Sequence, residues 1–305
     1  MKRNAVFMSK ILVTAALTVS ATHSAFAGPN AADVAKAAAE AAILQKHKAL
    51  VKQDLLQYRE REVRYLTPDQ VEALNQRDIS DLLSLKIERR LKNRTPDITR
   101  EDAQAMINSI EYNPVTSSYA YRKYSPVGRE IGFCFGRAMY GHILGLHLGV
   151  QKESIKKAWV VGPMNSGGIM WSFHVTTLMK SGDTWLAIDN YPGQLLTVDE
   201  WLKHMQPQSV DKKLRIYITD AEKFVGGFGY DSVQLNHFGD YKKYAELPRD
   251  RDWYSGFFKD MLNWFASKPD LSTVGLPSTE EFRKAHEPPV PQVPRLPEQE
   301  MESID

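Results

Sequence analysis

The sequence predicts an α+β fold in which one helix packs on an antiparallel sheet, preceded by a helical N-terminal region. Residues 31–65 contain no Gly or Pro and are rich in Ala, Lys, Gln, Glu and Leu, a composition that favours helix. From Cys134 onward, apolar residues recur at the helical period until Gly149. Residues 157–219 then contain β-branched and aromatic runs separated by turn residues, which is typical of antiparallel strands.

The N-terminal helical region is expected to span residues 28–112. Thr67 precedes Pro68, and Gln70 follows three residues after Thr67, which is the pattern of an N-cap, a first helical residue and a capping-box partner. Thr99 predicts a further helix start. Because this region carries no cluster of catalytic residue types, we do not expect it to hold the site.

Changes in composition predict where the remaining segments begin and end. Residues 112–130 combine tyrosines with two prolines and predict a linker, so the catalytic domain is expected over 113–275. Residues 276–305 are Pro-rich and predict a disordered tail. The Gly-rich segment 226–231 lacks the Lys of a phosphate-binding loop and predicts an ordinary loop.

The first 27 residues have the organisation of a secretory signal peptide. Lys2 and Arg3 precede an apolar run over residues 11–19, and Ala25-Phe26-Ala27 matches the small-residue cleavage pattern. The apolar run is shorter than a membrane-spanning helix requires. We therefore expect export to the periplasm or the medium, with no stable membrane anchor.

Charge and cysteine content limit the classes of function. Removal of the signal peptide would leave 36 basic and 37 acidic residues, so no electrostatic argument favours a nucleic-acid partner. Cys134 is the sole cysteine, which excludes an internal disulfide and a Cys-rich zinc site. In an exported protein such a thiol indicates burial, intermolecular pairing or a reactive nucleophile. No metal and no other cofactor is expected.

The position of Cys134 favours reactivity, although a single cysteine is more often a small buried hydrophobic residue. The helical pattern starts at Cys134 itself. A thiol in the first turn of a helix lies near the positive end of the helix dipole and near free backbone N–H groups, which favour the thiolate form. The same N–H groups can stabilise an oxyanion. Cys134 is therefore a candidate nucleophile.

A predicted β-hairpin supplies the partners that a nucleophile needs. If Ser181 and Gly182 form a two-residue loop, His174 lies directly opposite Asp189, with Cβ atoms about 5 Å apart. A three-residue loop would shift the pairing by one residue. A carboxylate at that position can orient the imidazole, so Cys134, His174 and Asp189 provide a nucleophile, a base and an orienting group.

Alternation along the histidine strand predicts two faces. One face carries Ser172, His174 and Thr176, and the other, apolar face carries Trp171, Phe173 and Val175. The apolar set predicts a core face and leaves the histidine face for chemistry. A histidine in such a strand is, taken alone, more often a half-buried structural residue.

Three blocks of sequence resemble a known family. They read CFGRAMYGHIL over 134–144, MWSFHVTTLM over 170–179 and LAIDNYPGQLLTVDEW over 186–201. They resemble the bacterial protein-glutaminases, which belong to the transglutaminase-like and papain-like Cys-His-Asp group. The resemblance covers about a quarter of the chain, and Arg137, Trp171 and Trp201 match in addition to the three catalytic types.

The resemblance implies a transglutaminase/papain-like core and a role for each matching residue. Cys134 would be the nucleophile, His174 the general base and acid, and Asp189 the orienting carboxylate. Trp171 and Ser172 would contact the substrate. The sequence departs from the family in having no cysteine pairs and in placing Asn-Tyr between Asp189 and the next proline.

The implied activity is deamidation of protein-bound glutamine to glutamate through a Cys134 thioester, with release of ammonia. A transglutaminase, a cysteine peptidase and a catalytically inactive secreted binding protein remain alternatives. In the family an N-terminal pro-segment covers the cleft, and residues 28–112 occupy the corresponding place. The expected partner is a protein or peptide that bears glutamine.

Overall fold

The computed structural model describes residues 30–50, 54–124, 134–225, 233–246 and 253–287. The predicted signal peptide, the Gly-rich segment 226–231 and residues 288–305 of the predicted tail lie outside these ranges. The chain divides into two compact units, one over 1–42 and one over 43–305. The boundary expected at 112/113 lies inside the second unit.

The N-terminal region is helical, as predicted, but residues 31–65 do not form one helix. The four helices are α1 (Ala31–Leu50), α2 (Leu55–Val63), α3 (Pro68–Leu83) and α4 (Arg100–Tyr112). Asp54 begins α2 by accepting a 2.9 Å hydrogen bond from the backbone N–H of Leu56. Capping boxes at Thr67 and Thr99 start α3 and α4, which confirms both predicted helix starts.

The second half of the chain combines one long helix with an antiparallel sheet, so the fold class is α+β. Its elements are α5 (Cys134–Leu148), β1 (Ile155–Ser166), β2 (Ile169–Ser181), β3 (Thr184–Ile188), β4 (Leu196–Thr197), α6 (Val198–Met205), β5 (Arg215–Asp220), β6 (Lys223–Val225), β7 (Leu235–His237), α7 (Asp240–Ala245), α8 (Trp253–Ala266) and α9 (Thr279–Ala285). The main sheet has the order β4-β3-β2-β1-β5, and β6 pairs with β7 in a smaller sheet.

The hairpin between β2 and β3 differs from the predicted register by two residues. Ser181 pairs with Thr184, so Gly182 and Asp183 form the loop rather than Ser181 and Gly182. Gly182 has a φ of +55°, which glycine adopts without a steric penalty at the first position of such a turn. A shift of two residues keeps every side chain on its predicted face, whereas a shift of one would have reversed them.

The main sheet lies between two apolar clusters. Helix α5 packs on the face that carries Trp159 and Val175, together with residues of α4 and α8. Helices α3 and α6 pack on the opposite face, which carries Val160 and Leu178. Burial of both faces explains why the strands read as nearly continuous apolar runs.

A bulge in β1 changes the expected alternation near the histidine. The β1–β2 register shifts between Val161 and Met164, opposite Ser172. Trp171 packs against the cluster that contains Val160, whereas Phe173 packs against the other cluster. The prediction that Trp171 shares the apolar face of Phe173 and Val175 is therefore wrong, because a bulge increases the local twist and re-aims side chains.

The N-terminal helices are joined to the sheet by a buried charged network. Arg215 of β5 is fully buried and pairs with Glu62 of α2 at 3.1 Å and with Asp78 of α3 at 2.7 Å. The hydroxyl of Tyr217 donates to Glu62 at 2.5 Å, and Asn75 Oδ1 accepts from Arg215 at 3.2 Å. Helices α2 and α3 therefore complete the environment of β5.

The first part of the predicted tail is ordered. Ser278 begins α9 through a capping box with Glu281, and Phe282 is buried in the same cluster as α5. The expectation of disorder from residue 276 onward is thus wrong for residues 276–287. The buried side chains of Leu276 and Phe282, together with the capped helix, fix this segment against the core.

Candidate active site

Cys134 is the first residue of α5, as the sequence predicts, and its side chain is half-buried. Helix α5 lies close to β2, because the hydroxyl of Thr177 donates to the carbonyl of Ala138, one turn beyond Cys134. A Cβ atom placed on Gly141 would lie 3.3 Å from Thr177. The short contact between helix and strand places the start of α5 beside the middle of β2.

His174 lies in β2, where it pairs with Val160 of β1, and its side chain is buried. Its Nε2 atom is 2.7 Å from Oδ2 of Asp189, the first residue after β3. The imidazole stacks on Trp201 with 5.9 Å between ring centroids and is 5.4 Å from the ring of Tyr191. Aromatic rings therefore exclude water from much of the imidazole.

The Asp189 carboxylate is held by three hydrogen bonds. Besides His174, it accepts from the indole N–H of Trp201 at 2.8 Å and from the backbone N–H of Tyr191 at 3.0 Å. Trp201 belongs to α6, which starts at the predicted N-cap Thr197 with a capping box. Each donor satisfies a carboxylate lone pair that burial would otherwise leave without a partner.

Two of these contacts go beyond the sequence prediction. The family blocks identify Trp201 only as a matching residue, and the sequence does not predict its hydrogen bond to Asp189. Tyr191 was not predicted as a site residue. The signal for Tyr191 is local, because an Asp side chain commonly accepts from the N–H two residues later.

The electrostatics of the cluster favour an ionised pair. Burial alone would lower the pKa of His174, but the charge and hydrogen bond of Asp189 and those of the Cys134 thiol raise the pKa to about 10. Burial would raise the pKa of Asp189, but His174, Trp201 and the Tyr191 N–H together lower it. At neutral pH the pair is an imidazolium next to a carboxylate.

The same contacts bring the three predicted catalytic residues together. Nε2 of His174 faces Asp189, so Nδ1 is the ring nitrogen available to the Cys134 thiol, whose interaction with the imidazole raises the pKa of His174. A thiol, a buried imidazole and an orienting carboxylate in this order have the geometry that thiol nucleophiles use.

Trp171 and Ser172, the predicted substrate contacts, occupy different surroundings. Trp171 packs edge-to-face on Tyr191 at 6.2 Å, and in the described part of the chain its buried Nε1 has no hydrogen-bond partner. Ser172 lines an open cavity of about 580 Å³ together with Gly162, Pro163 and residues of α2. In the described residues the indole N–H of Trp171 is therefore an unused donor. The ring of Tyr191 contacts both Trp171 and His174.

Within the described ranges, no group of three or more His, Cys, Asp or Glu side chains is arranged to hold a metal ion. None of the described helices is both long enough and apolar enough to cross a membrane.

Comparison with known protein families finds no matching family, and comparison with curated proteins finds no match. Among solved structures, the crystal structure of a mutant of pro-protein-glutaminase is similar, with a TM-score of 0.33 and 16% sequence identity. The alignment covers 46% of this chain and 54% of that chain, so the chain spans about half the length of that structure.

Proposed function

We propose that this protein is an exported cysteine amidohydrolase that converts protein-bound glutamine to glutamate. The observation that carries the proposal is the buried His174 placed between the Asp189 carboxylate and the Cys134 thiol. The choice of a glutamine side chain as the substrate is supported by the three sequence blocks that resemble the protein-glutaminases.

The first half-reaction forms a thioester. The Cys134 thiolate attacks the side-chain amide carbon of glutamine, and the carbonyl electron pair moves onto oxygen. The oxyanion accepts hydrogen bonds from backbone N–H groups at the start of α5. When the oxyanion collapses, the carbon–nitrogen bond breaks and the His174 imidazolium gives a proton to the departing ammonia.

The second half-reaction releases glutamate. A water molecule loses a proton to His174 and attacks the thioester carbon. The carbon–sulfur bond then breaks, which regenerates the thiolate and leaves a carboxylic acid on the substrate. Asp189 stabilises the imidazolium in both halves and holds the ring in one orientation.

Intact-mass measurement on a glutamine-containing protein tests this function. We expect a gain of about 1 Da per site with release of ammonia, because –NH₂ is replaced by –OH. Cys134→Ser should abolish the change, since a hydroxyl is a much weaker nucleophile at neutral pH. Joined chains would indicate a transglutaminase and shortened chains a peptidase. No change with the wild-type chain on a panel of unfolded proteins would contradict the proposal.

Alkylation provides a test of the thiol that does not depend on the substrate. Because Cys134 is half-buried at the start of α5 and interacts with His174, iodoacetamide should modify it in the folded protein. Mass spectrometry of the native and the urea-unfolded protein measures the difference. A thiol that reacts only after unfolding would return Cys134 to a structural role.

A further inference from the structure

A second cavity, of about 300 Å³, shares no lining residue with the candidate active site. It lies between the segment 89–95, the end of α5 at Gly149 and helix α9. Its ionisable lining is predominantly basic and comprises Arg89, Lys92, Arg94, Arg283, His286 and one acid, Glu287. This concentration of positive charge contrasts with the near balance of acids and bases in the whole chain.

Four of these cations have no acidic partner in the part of the chain that the structure describes. Within the described residues, no ion pair involves Arg89, Lys92, Arg94 or Arg283, whereas the neighbouring Arg90 pairs with Glu153 at 3.3 Å. His286 pairs with Asp102 at 3.0 Å. The cavity therefore presents four uncompensated positive charges against one carboxylate, which is complementary to a multiply charged anion.

Two guanidinium groups are fixed by the backbone. Arg89 donates to the carbonyl of Arg94 at 2.6 Å and to the carbonyl of His286 at 2.8 Å, and it thereby joins two walls of the cavity. Arg94 donates to the carbonyl of Leu146 in the last turn of α5 at 2.5 Å. Each guanidinium has five N–H donors, so donors remain for a ligand.

The backbone at Gly149 leaves room beside these groups. Gly149 has a φ of +109°, and a Cβ atom there would lie 3.2 Å from Nε of Arg283. A side chain at this position would fill the space next to the guanidinium. The absence of a side chain therefore keeps Arg283 accessible from the cavity.

We propose that this cavity binds a phosphate-bearing anion. Guanidinium groups match the geometry of phosphate oxygens and bind them through two parallel hydrogen bonds. The volume lies at the lower end of the range for ligand pockets, which fits a compact ligand. A free phosphorylated molecule and a phospholipid headgroup share this chemistry.

Binding of inorganic pyrophosphate to the full chain tests the proposal. Calorimetry should show that the protein binds pyrophosphate. Added phosphate should reduce this binding, whereas chloride at equal ionic strength should not. A ligand that binds only the folded state raises the melting temperature as its concentration rises. The inactive Cys134→Ser chain should bind equally well, which separates this proposal from the proposed enzymatic activity.

Two variants of neighbouring residues on α9 provide a matched comparison. Arg283→Gln should weaken pyrophosphate binding about tenfold, because it removes a charge-assisted contact inside the cavity. Lys284→Gln removes the same charge from an exposed side chain that does not line the cavity, and it should leave the affinity unchanged. Equal losses in both variants would overturn the proposal in favour of diffuse attraction.

A vesicle arm distinguishes the two sources of phosphate. The protein is sedimented with phosphatidylcholine vesicles that contain phosphatidylglycerol. If Arg283→Gln reduces co-sedimentation and Lys284→Gln does not, the ligand of the cavity is a lipid headgroup. Binding of pyrophosphate without sedimentation would assign a free phosphorylated ligand. Binding to neither probe would overturn the proposal.

Discussion

Asp189→Asn is expected to leave the protein folded and to lower turnover about 10⁴-fold, the loss seen for the analogous change in a serine-protease triad. An amide cannot stabilise the imidazolium that forms when His174 takes a proton, although it can still accept from Trp201 or Tyr191. Steady-state ammonia release, with circular dichroism to confirm folding, measures the effect.

The same variant has a predicted effect on pH dependence. The Asp189 carboxylate raises the pKa of His174, so its removal lowers that pKa. The imidazolium is then lost at a lower pH, and the alkaline limb of the activity profile should move toward lower pH. An unchanged limb would mean that the carboxylate does not act through His174.

Asn190→Ala is the matched control. The Asn190 side chain is hydrogen-bonded to Glu111 of α4 rather than to the imidazole. We expect it to retain near-normal turnover. If Asn190→Ala loses as much activity as Asp189→Asn, or if Asp189→Asn stays active, Asp189 is not the orienting group.

Arg215→Ala is expected to lower the free energy of unfolding by about 3–5 kcal/mol, because it removes the Arg215 cation from Glu62 and leaves the buried Asp78 with Lys46 alone. Urea denaturation measures the loss. Arg90→Ala removes an exposed pair with Glu153 and should cost no more than about 1 kcal/mol. Equal effects of the two variants would show that the network does not stabilise the fold.

The Arg215 network also predicts the outcome of truncation. A chain that starts at residue 113 lacks Glu62, Asn75 and Asp78 and leaves Arg215 uncompensated. We expect it not to fold, as judged by circular dichroism and by proteolysis. A folded and more active chain would instead identify residues 28–112 as a removable pro-segment.

Local signals in the sequence were sufficient for the helix starts. Each capping box, at Thr67, Thr99 and Thr197, consists of two residues three positions apart. Such a short pattern can be recognised from the sequence alone. The capping box at Ser278 has the same spacing, but the prolines that follow it favour a prediction of disorder for the whole segment. Local pattern was therefore reliable where neighbouring composition did not contradict it.

The meeting of His174 and Asp189 was predicted from an incorrect register. The loop is Gly182-Asp183, since the first loop position requires a positive φ, and this shifts the pairing by two residues. The two side chains still meet because strands repeat every two residues. Three features could not be predicted in the same way, because they depend on tertiary packing: the bulge that re-aims Trp171, the α6 indole on Asp189, and the Arg215 network.

The buried Arg215 pair has a consequence for the order of folding. Glu62 and Arg215 are 153 residues apart, whereas His174 and Asp189 are 15 apart. The entropy cost of closing a loop grows with its length, and non-local contacts slow folding. Glu62 of α2 finds its partner Arg215 only after β5 has formed. The hairpin that carries His174 and Asp189 can therefore form before α2 packs against β5.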